Sequence, residues 1–329
     1  MDACTIAAPV AASAAAATGL VRARLIAIRY AAEGIHLYEF AAADGPALPP
    51  FSAGAHVDLH LPNGLVRQYS LCNPQHETAR YVVGIKRDPA SRGGSSYVHD
   101  QLKVGTLVSL GAPRNHFALH EQARHTVLIA GGIGVTPIAC MAQRLRALGA
   151  SFELHYSVRR REEAAFLDVL AGPGLHLHVD AEQGGAPLPL RELVARAPQE
   201  AHLYCCGPAP MLDAFEAACA GRPAGHVHLE RFAAATPSAA EGGFTVQLAR
   251  SGRSVFVPQG ATILDTLRGQ GVAVQASCEQ GICGSCETRV LAGTPDHRDS
   301  LLSDEEKRAN QVMMVCCSGS KDPVLVLDL

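Results

Sequence analysis

The sequence predicts a multidomain chain: an antiparallel β-barrel, then an α/β domain with a parallel sheet, then a smaller domain around a cysteine cluster. Three observations support this order. Short alternating apolar segments punctuated by Gly and Pro run from Leu20 to about Leu119. Strand and helix patterns alternate from about Arg124. Five of the 11 cysteines lie within residues 278–317.

The composition is that of a folded globular protein. At about 100–200 residues per domain, 329 residues make two or three domains, and the chain is 48% hydrophobic and 18% charged. No uncharged apolar run approaches the roughly 18–20 residues of a membrane span. With a net charge of −3, the chain lacks the excess of basic residues that is typical of nucleic-acid-binding proteins. We therefore expect neither a membrane protein nor a nucleic-acid-binding one.

The N-terminal segment is rich in Ala and has no Lys or Arg before Arg22. A secretory signal needs a basic start, and a transit peptide needs Arg. In a secreted protein the cysteines would suggest disulfides, but their spacing suits cofactor ligation better. We expect residues 1–19 to be a flexible tail and the protein to be cytoplasmic.

The first region, residues 20–121, has five strand-like segments. They are residues 21–30, 55–61, 65–72, 81–87 and 105–113. On the third segment, alternation places Arg67 and Tyr69 on one face. A cation beside an aromatic ring suits a flavin, with the ring against the isoalloxazine and the cation near a phosphate or carbonyl. The alternative is a surface Arg beside a packed Tyr.

A glycine-rich segment, Arg92-Gly93-Gly94-Ser95-Ser96, precedes a predicted helix. Glycines at a helix N-terminus expose backbone N–H groups, which suits a phosphate. The alternative is an ordinary helix start.

The second region, residues 122–232, alternates strands with helices. Strands are predicted at 125–130, 151–158, 175–180, 202–207 and 226–232, and helices at 138–149, 162–170, 189–195 and 210–219. On the first helix, one apolar face is formed by Ile138, Met141, Ala142, Leu145 and Leu148. This alternation predicts a parallel sheet covered on both faces.

The turn 131–137, Gly-Gly-Ile-Gly-Val-Thr-Pro, links a strand to a helix, which is the context of a dinucleotide phosphate loop. Pro137 takes the place of the last glycine, and Pro suits a first helical turn, so a simple tight turn is the alternative. Cys205-Cys206-Gly207-Pro208 ends another strand at the carboxyl edge, where ligands bind. The alternative there is a buried strand cysteine.

The third region, residues 244–329, follows a predicted linker, residues 233–243. A hairpin over 244–260 and a short helix over 261–271 precede Cys278-x4-Cys283-x2-Cys286, and Cys316 follows after 29 further residues. This is the plant-type [2Fe–2S] spacing, with Gly281 and Gly284 letting the backbone approach the sulfides. A structural zinc site would prefer two C-x2-C pairs, and Cys316 with Cys317 does not supply the second.

Two smaller patterns stay open. The strand pairs His176/His178 and His226/His228 each share a face and could bind a metal. No carboxylate stands beside them in the sequence, so we favour ordinary histidines. Residues 159–161, three arginines after the second strand, are either a site for a ribose 2′-phosphate or a solvated charge run.

The order of these motifs resembles the phthalate dioxygenase reductase family, to which vanillate demethylase reductases are similar. The resemblance covers residues 20–329. It implies a ferredoxin-reductase-type fold with FMN in the barrel (20–121) and NAD in the α/β domain (122–232). It also implies a [2Fe–2S] ferredoxin domain of the β-grasp type (244–329). The domain order, with the ferredoxin domain last, distinguishes this family from relatives that carry the ferredoxin domain first.

The resemblance also implies site residues. Flavin-binding residues are Arg67, Tyr69, Ser70, Lys86, Gly93, Gly94, Ser95 and Phe232, with Glu230 in the last segment. Nucleotide-binding residues are Gly132, Gly134, Thr136, Pro137, Cys206, Gly207 and Pro208. Thr136, Cys206 and Phe232 are the implied catalytic residues. Cluster ligands are Cys278, Cys283, Cys286 and Cys316; residues 295–299 look like the segment after the cluster.

Cys316 is preferred over Cys317 because neighbouring side chains on a strand point in opposite directions, and because the family match places the ligand there. Cys317 is a departure, since relatives tend to have an apolar residue at that position. It leaves a spare thiol beside the cluster.

Three modules in one chain imply an electron-transfer enzyme. Nicotinamides give hydride, clusters take single electrons, and a flavin does both. We expect hydride from NADH to FMN, then single electrons through the cluster to a Rieske-type terminal oxygenase for an aromatic acid or similar compound. The sequence shows no acid–base dyad or nucleophilic triad for the oxygenase chemistry. The alternatives are a reductase serving a separate ferredoxin or cytochrome, a non-catalytic redox sensor, and NADPH as donor.

Overall fold

A computed structural model describes residues 19–89, 93–233, 238–239 and 241–329. Nearly all of the predicted tail, Arg92 and part of the predicted linker lie outside the described residues. Three main sheets follow one another along the chain: one antiparallel, one parallel and one mixed. This order agrees with the predicted fold class.

The first sheet is a six-stranded antiparallel barrel. Its strands are β1 (Val21–Ala32), β2 (Ile35–Ala42), β3 (His56–His60), β4 (Val66–Ser70), β5 (Arg80–Lys86) and β6 (Leu107–Leu110). They are ordered β4-β3-β6-β1-β2-β5, and a bridge between Leu71 and Val83 joins the two ends. Helix α1 (Gly94–Gln101) connects β5 to β6. The sequence pattern missed β2, since its residues are buried almost continuously instead of alternating.

The second sheet is parallel throughout and is ordered β11-β10-β7-β8-β9. Its strands are β7 (Thr126–Gly131), β8 (Phe152–Val158), β9 (Leu175–Val179), β10 (His202–Cys206) and β11 (Val227–Glu230). Its helices are α2 (Val135–Leu148), α3 (Leu167–Leu170), α4 (Leu190–Arg196) and α5 (Ala209–Ala218). Separate apolar clusters pack α2 on one face and α4 and α5 on the other. The predicted covering of both faces is therefore observed.

Two helix predictions need correction. The segment 162–170 is not one helix: a 3-10 turn at Arg161–Glu163 and the single turn of α3 are separated by Phe166, which has φ 62°. On α2, the predicted face is buried except for Leu148, which is 42% exposed. Leu148 lies at the end of the helix, one residue before the left-handed Gly149 that closes it.

The third sheet is mixed and is ordered β13-β12-β18-β14-β16. Its strands are β12 (Phe244–Leu248), β13 (Arg253–Val257), β14 (Glu287–Ala292), β16 (Val312–Met314) and β18 (Val324–Leu327). A separate two-stranded ribbon is formed by β15 (Pro295–Asp296) and β17 (Gly319–Ser320). The helices of this region are α6 (Ile263–Gly269) and α7 (Asp304–Ala309). The predicted hairpin and helix correspond to β12–β13 and α6, and β12 pairs in parallel with β18. One apolar core packs α6 and the cysteine segment against this sheet.

Candidate active site

A cavity of about 780 Å³ lies where the three domains meet. From the barrel it is lined by Arg67, Gln68, Tyr69, Ser70, Gly84, Ile85, Lys86 and Ser95. From the α/β domain it is lined by Ile133, Thr136, Arg159, Leu229, Glu230, Arg231 and Phe232. From the cysteine domain it is lined by Cys278, Gln280, Ile282, Ser300 and Leu301. One bound molecule could therefore contact all three domains.

The barrel end of the cavity has the features of an anion site. Gly93, with φ 82°, precedes α1, and no side chain of the described residues caps the N-terminus of this helix. A Cβ atom on Gly94 would lie 2.5 Å from Arg67 Nε. The guanidinium and the helix N-terminus are thus in contact only because Gly94 lacks a side chain. A phosphate fits beside them, since both carry positive charge.

Thr136 stands at the junction of the barrel and the α/β domain. Its hydroxyl donates to Ile133 O at 2.9 Å, and a Cβ atom on Gly84 of β5 would lie 2.8 Å from its Cγ2. This close approach of β5 to the start of α2 places Thr136 in the cavity wall. A ligand bound to the barrel and a ligand bound to the α/β domain would meet there.

The remaining predicted nucleotide residues surround the carboxyl edge of the parallel sheet, beside the cavity. A Cβ atom on Gly134 would overlap the carbonyl of Cys206, so the β7–α2 turn touches the end of β10. Gly132 has φ 52° and open space where a side chain would be. Pro137 is in the first turn of α2, and Gly207 and Pro208 lead into α5. This glycine turn at a helix start, with Gly132 half-buried and free of steric neighbours, fits a pyrophosphate.

Cys206 and Ser70 are linked through Glu230. Cys206 and Glu230 are paired across β10 and β11, with Cys206 Sγ 4.0 Å from Glu230 Oε2. The Ser70 hydroxyl hydrogen-bonds to the Glu230 carboxyl. Burial raises the pKa of Glu230 to about 8, although the Ser70 bond lowers it. This carboxyl, whose raised pKa favours its protonated form at neutral pH, therefore joins β4 to the end of β10.

Lys86 and Phe232 lie on the open side of the cavity. Lys86 Nζ is 3.8 Å from Glu163 Oε2, and Phe232 is 39% exposed. The three arginines of residues 159–161 have different surroundings. Arg159 lines the cavity, whereas Arg160 pairs with Glu33 and Glu163, and Arg161 pairs with Glu182.

The four predicted cluster cysteines are buried together in one loop and the segment after β16. Cys278 Sγ interacts with the thiols of Cys283 and Cys316, and the Cys286 thiol also interacts with Cys316. These contacts, with the N–H groups of Ile282 and Gln280, lower the pKa of Cys278 to about 2. The same thiol contacts lower the pKa of Cys286 and raise the pKa values of Cys283 and Cys316, so the four sulfurs form one interacting set, as the ligands of a cluster would.

The loop around these sulfurs has backbone shapes that glycine favours. Gly281 has φ 66° and Gly284 has φ 73°. A Cβ atom on Gly281 would overlap Cys317 Sγ, and one on Gly284 would lie 3.1 Å from Leu301. Cys317 Sγ therefore packs against the outside of the loop.

The sulfur arrangement fits two irons better than one zinc ion. Among the described residues, no three cysteine sulfurs lie within 4.8 Å of one another, as a tetrahedral site for one ion would require. Cys278 and Cys286 are instead connected through Cys316. Such an extended set suits a [2Fe–2S] cluster.

Sequence reasoning missed His56 and His116, which also line the cavity. His116 hydrogen-bonds to the backbone of Cys283, and the two imidazole centroids are 5.7 Å apart. Among the described residues His56 Nε2 is buried without a hydrogen-bond partner, and burial together with Arg114 lowers the His56 pKa to about 4. Neither histidine belongs to a local motif, so only the docking of the cysteine domain on the barrel reveals them.

Comparisons with known proteins agree with this architecture. The 2Fe-2S iron-sulfur cluster binding domain family matches residues 246–320. Phenoxybenzoate dioxygenase subunit beta of Ectopseudomonas oleovorans is 55% identical over 96% of this chain and 100% of its own length. Vanillate O-demethylase oxidoreductase of Pseudomonas putida is 46% identical over 91% of this chain and 96% of its own.

The structural comparison points the same way. The solved structure of phthalate dioxygenase reductase, described as a modular structure for electron transfer from pyridine nucleotides to [2Fe–2S], has a TM-score of 0.74. It is 39% identical to this chain and covers 96% of it and 100% of that structure.

Fold and site together define an iron–sulfur flavoprotein reductase that uses a pyridine nucleotide. The chain belongs to the phthalate dioxygenase reductase family. The predicted family, fold class and enzyme class are confirmed. No helix in the described ranges has both the length and the apolar character to cross a membrane.

Proposed function

We propose that this chain is the NADH-dependent reductase component of a two-component oxygenase, delivering single electrons to a Rieske-type terminal oxygenase that acts on an aromatic compound. The main support is the cavity that all three domains line. The α/β domain contributes Thr136 and Glu230, the barrel contributes Tyr69 and the cysteine domain contributes Cys278. The names of relatives, among them a 3-chlorobenzoate-3,4-dioxygenase reductase subunit of Comamonas testosteroni, support an oxygenase partner.

Arg67, Gly93, Gly94 and Ser95 hold the flavin phosphate in this proposal, and the compact anion site supports FMN. A flavin, when bound, takes up hydride as an electron pair and passes electrons on singly, which a [2Fe–2S] partner requires. Tyr69, Ser70, Lys86 and Phe232 orient the ring system from the walls around it.

Thr136, Cys206 and Glu230 position the nicotinamide, and the turn at Gly132 and Gly134 holds the pyrophosphate. The Cys206 thiol is fully buried, and burial raises its pKa far above the usual range, so it remains uncharged beside the reacting groups. It contributes packing and shape instead of nucleophilic chemistry.

Cys278, Cys283, Cys286 and Cys316 are the proposed cluster ligands. Cys278 belongs both to this set and to the cavity wall. The ligand set therefore borders the flavin space directly, and no protein segment needs to move to connect them.

NADH is the proposed donor. A 2′-phosphate needs free cations, but Arg160 and Arg161 are paired with Glu33, Glu163 and Glu182. The same carboxylates would repel a phosphate dianion. A cytoplasmic location is proposed as well, since no disulfide joins any of the ten described cysteines, as expected in a reducing compartment.

The test is a visible spectrum and an iron assay on the purified protein, before and after anaerobic addition of NADH or NADPH. We expect flavin and iron–sulfur absorption together, bleached within seconds by NADH and much more slowly by NADPH. A colourless zinc protein, or flavin without iron, would contradict the proposal.

The acceptor is tested with Cys283→Ser. If the cluster serves the oxygenase, this variant loses oxygenase-coupled turnover but keeps flavin reduction by NADH. Unchanged turnover would favour a separate ferredoxin or cytochrome as acceptor. Slow dye reduction by NADH in the unmodified protein would favour a redox sensor instead.

A further inference from the structure

A second group of metal-ligand side chains lies outside the active site, on the α/β sheet. Glu153 and His155 are on β8, and His176 is on the neighbouring edge strand β9. Because Glu153 and His155 are two residues apart, they share one face, and His155 is in register with His176. Glu153 and His176 are the second residues of their strands and His155 is the middle residue of β8, whereas the cavity is at the carboxyl edge of the sheet.

The three side chains converge. One ligand atom from each lies within 4.8 Å of the other two, and the described residues contain no other such group of three. The imidazoles of His155 and His176 are stacked with centroids 4.7 Å apart, and His155 Nε2 is 3.5 Å from Glu153 Oε2. Small side-chain rotations bring these atoms to the separations of ligands sharing one ion.

His155 supplies an independent indication. Its Nε2 atom is buried, and within the described structure its polar neighbour is the Glu153 carboxylate at 3.5 Å, which does not satisfy it with a well-formed hydrogen bond. A buried polar atom without a partner costs free energy. A metal ion at this position satisfies that nitrogen and simultaneously engages the exposed His176.

We propose that Glu153, His155 and His176 form a binding site for a divalent transition-metal ion of the zinc class. Two imidazoles and one carboxylate are a donor set that such ions prefer over Mg²⁺ or Ca²⁺. Water completes the coordination, since the site is open to solvent on the side of His176.

The local charge is compatible with a cation. Arg196, at the end of α4, acts electrostatically on His155, but its guanidinium pairs with Glu192 at 3.0 Å. Glu153 supplies the negative charge within the site. The ion joins β8 to β9, which is the edge strand of the described sheet. Binding to the folded chain alone therefore raises its thermal stability.

The experiment is calorimetric titration of the flavin- and cluster-loaded protein, with any affinity tag removed, using ZnCl₂ alone. Thermal unfolding is recorded with and without zinc. We expect His176→Ala to bind one zinc ion fewer than the unaltered protein and to lose the zinc-dependent rise in Tm. Glu153→Gln, which keeps the shape of the side chain, should bind at least about tenfold more weakly.

His178→Ala is the matched control, because His178 is two residues further along β9 and hydrogen-bonds to Ala186 O instead. It should bind zinc as the unaltered protein does. The variants keep all the thiols and every histidine except the one replaced, so a difference in zinc binding between His176→Ala and His178→Ala is due to the proposed site. Unchanged zinc stoichiometry and affinity in both His176→Ala and Glu153→Gln, or no binding by the unaltered protein, would overturn the proposal.

Discussion

Ser277 Oγ donates a hydrogen bond of 2.8 Å to Asp58 Oδ1, joining residues 219 positions apart. Both residues are buried, and the same oxygen accepts from Arg114 at 2.8 Å and Gln68 at 3.1 Å. Asp58 lies on β3 of the barrel, and Ser277 immediately precedes Cys278. This contact therefore fixes the start of the cysteine loop against the barrel wall.

Ser277→Ala tests that role. Asp58 keeps its bonds from Arg114 and Gln68, so the loss of stability should be modest, about 1 kcal/mol. We expect faster hydrogen exchange in residues 277–286 and slower electron arrival at the cluster, while flavin reduction by NADH is unchanged. Exchange mass spectrometry and anaerobic stopped-flow absorption measure the two effects.

Ser303→Ala is the matched control. Ser303 is the N-cap of α7 in the same domain, and its loss also costs about 1 kcal/mol. It has no contact with Asp58 in the hydrogen bonds of the described structure. If both variants changed exchange and electron transfer equally, the Asp58 contact would be merely structural.

The Ser277–Asp58 pair also shows where sequence reasoning stops. The cysteine spacing and the glycine turns are local patterns, because their chemistry is satisfied within a few residues. In the sequence, Asp58 is only one polar residue of an alternating strand, and its bond to the third domain is visible only in the folded structure. The cavity is likewise a product of domain docking, so residues such as His56 and His116 carry no local signal.

Phe166 illustrates a different limit. The apolar spacing over residues 162–170 satisfies a helical pattern, yet Phe166 takes φ 62° and divides the segment. Ala165, Phe166 and Leu170 are nevertheless all buried in the same core. Burial of an apolar set does not require a helix when the backbone has other hydrogen-bond partners, here Ala165 N to Tyr156 Oη at 3.1 Å.

Glu230→Gln should change how stability depends on pH. The pKa of Glu230 is raised by burial from its ordinary value of 4.5 to about 8. Between these values the folded chain holds a proton that the unfolded chain releases, so this carboxyl makes stability fall as pH rises. Glutamine lacks this effect. Relative to the unaltered protein, the variant should gain about 1–3 kcal/mol between pH 5.5 and 8.5 in urea unfolding.

Glu39→Gln provides the comparison. The pKa of Glu39 is lowered by hydrogen bonds from Arg29 and Arg80, which outweigh the opposing effect of burial. Its stabilising contribution is complete above its ordinary pKa and is lost only as the solution becomes acid. The stability difference for this variant should be flat from pH 5.5 to 8.5. A flat difference for Glu230→Gln would mean that Glu230 is ionised in the folded protein.

Gly94→Ala should weaken flavin binding. The added Cβ would lie 2.5 Å from Arg67 Nε and 2.7 Å from its Cγ, so the guanidinium must move away from the start of α1. Loss of a charge-assisted phosphate contact corresponds to about tenfold weaker binding or more. Flavin fluorescence during titration of the flavin-free protein measures the dissociation constant.

Gly269→Ala is the control for that prediction, since Gly269 is also helical and a Cβ there meets nothing within 4 Å. Its flavin affinity should be unchanged. Equal affinity for FMN in the Gly94→Ala variant and the unaltered protein would show that the phosphate does not bind at this end of the cavity.

Cys316→Ala and Cys317→Ala should have opposite consequences, although the residues are adjacent. The Cys316 thiol interacts with both Cys278 and Cys286 and so connects the two halves of the sulfur set. Cys317 Sγ contacts the Cys316 thiol, packs on Gly281 and lies 3.7 Å from Met314 O. We expect Cys316→Ala to lose the iron and the visible absorption of the cluster, while Cys317→Ala retains both. Iron per chain and visible circular dichroism distinguish them; retention of iron by Cys316→Ala alone would make Cys317 the fourth ligand.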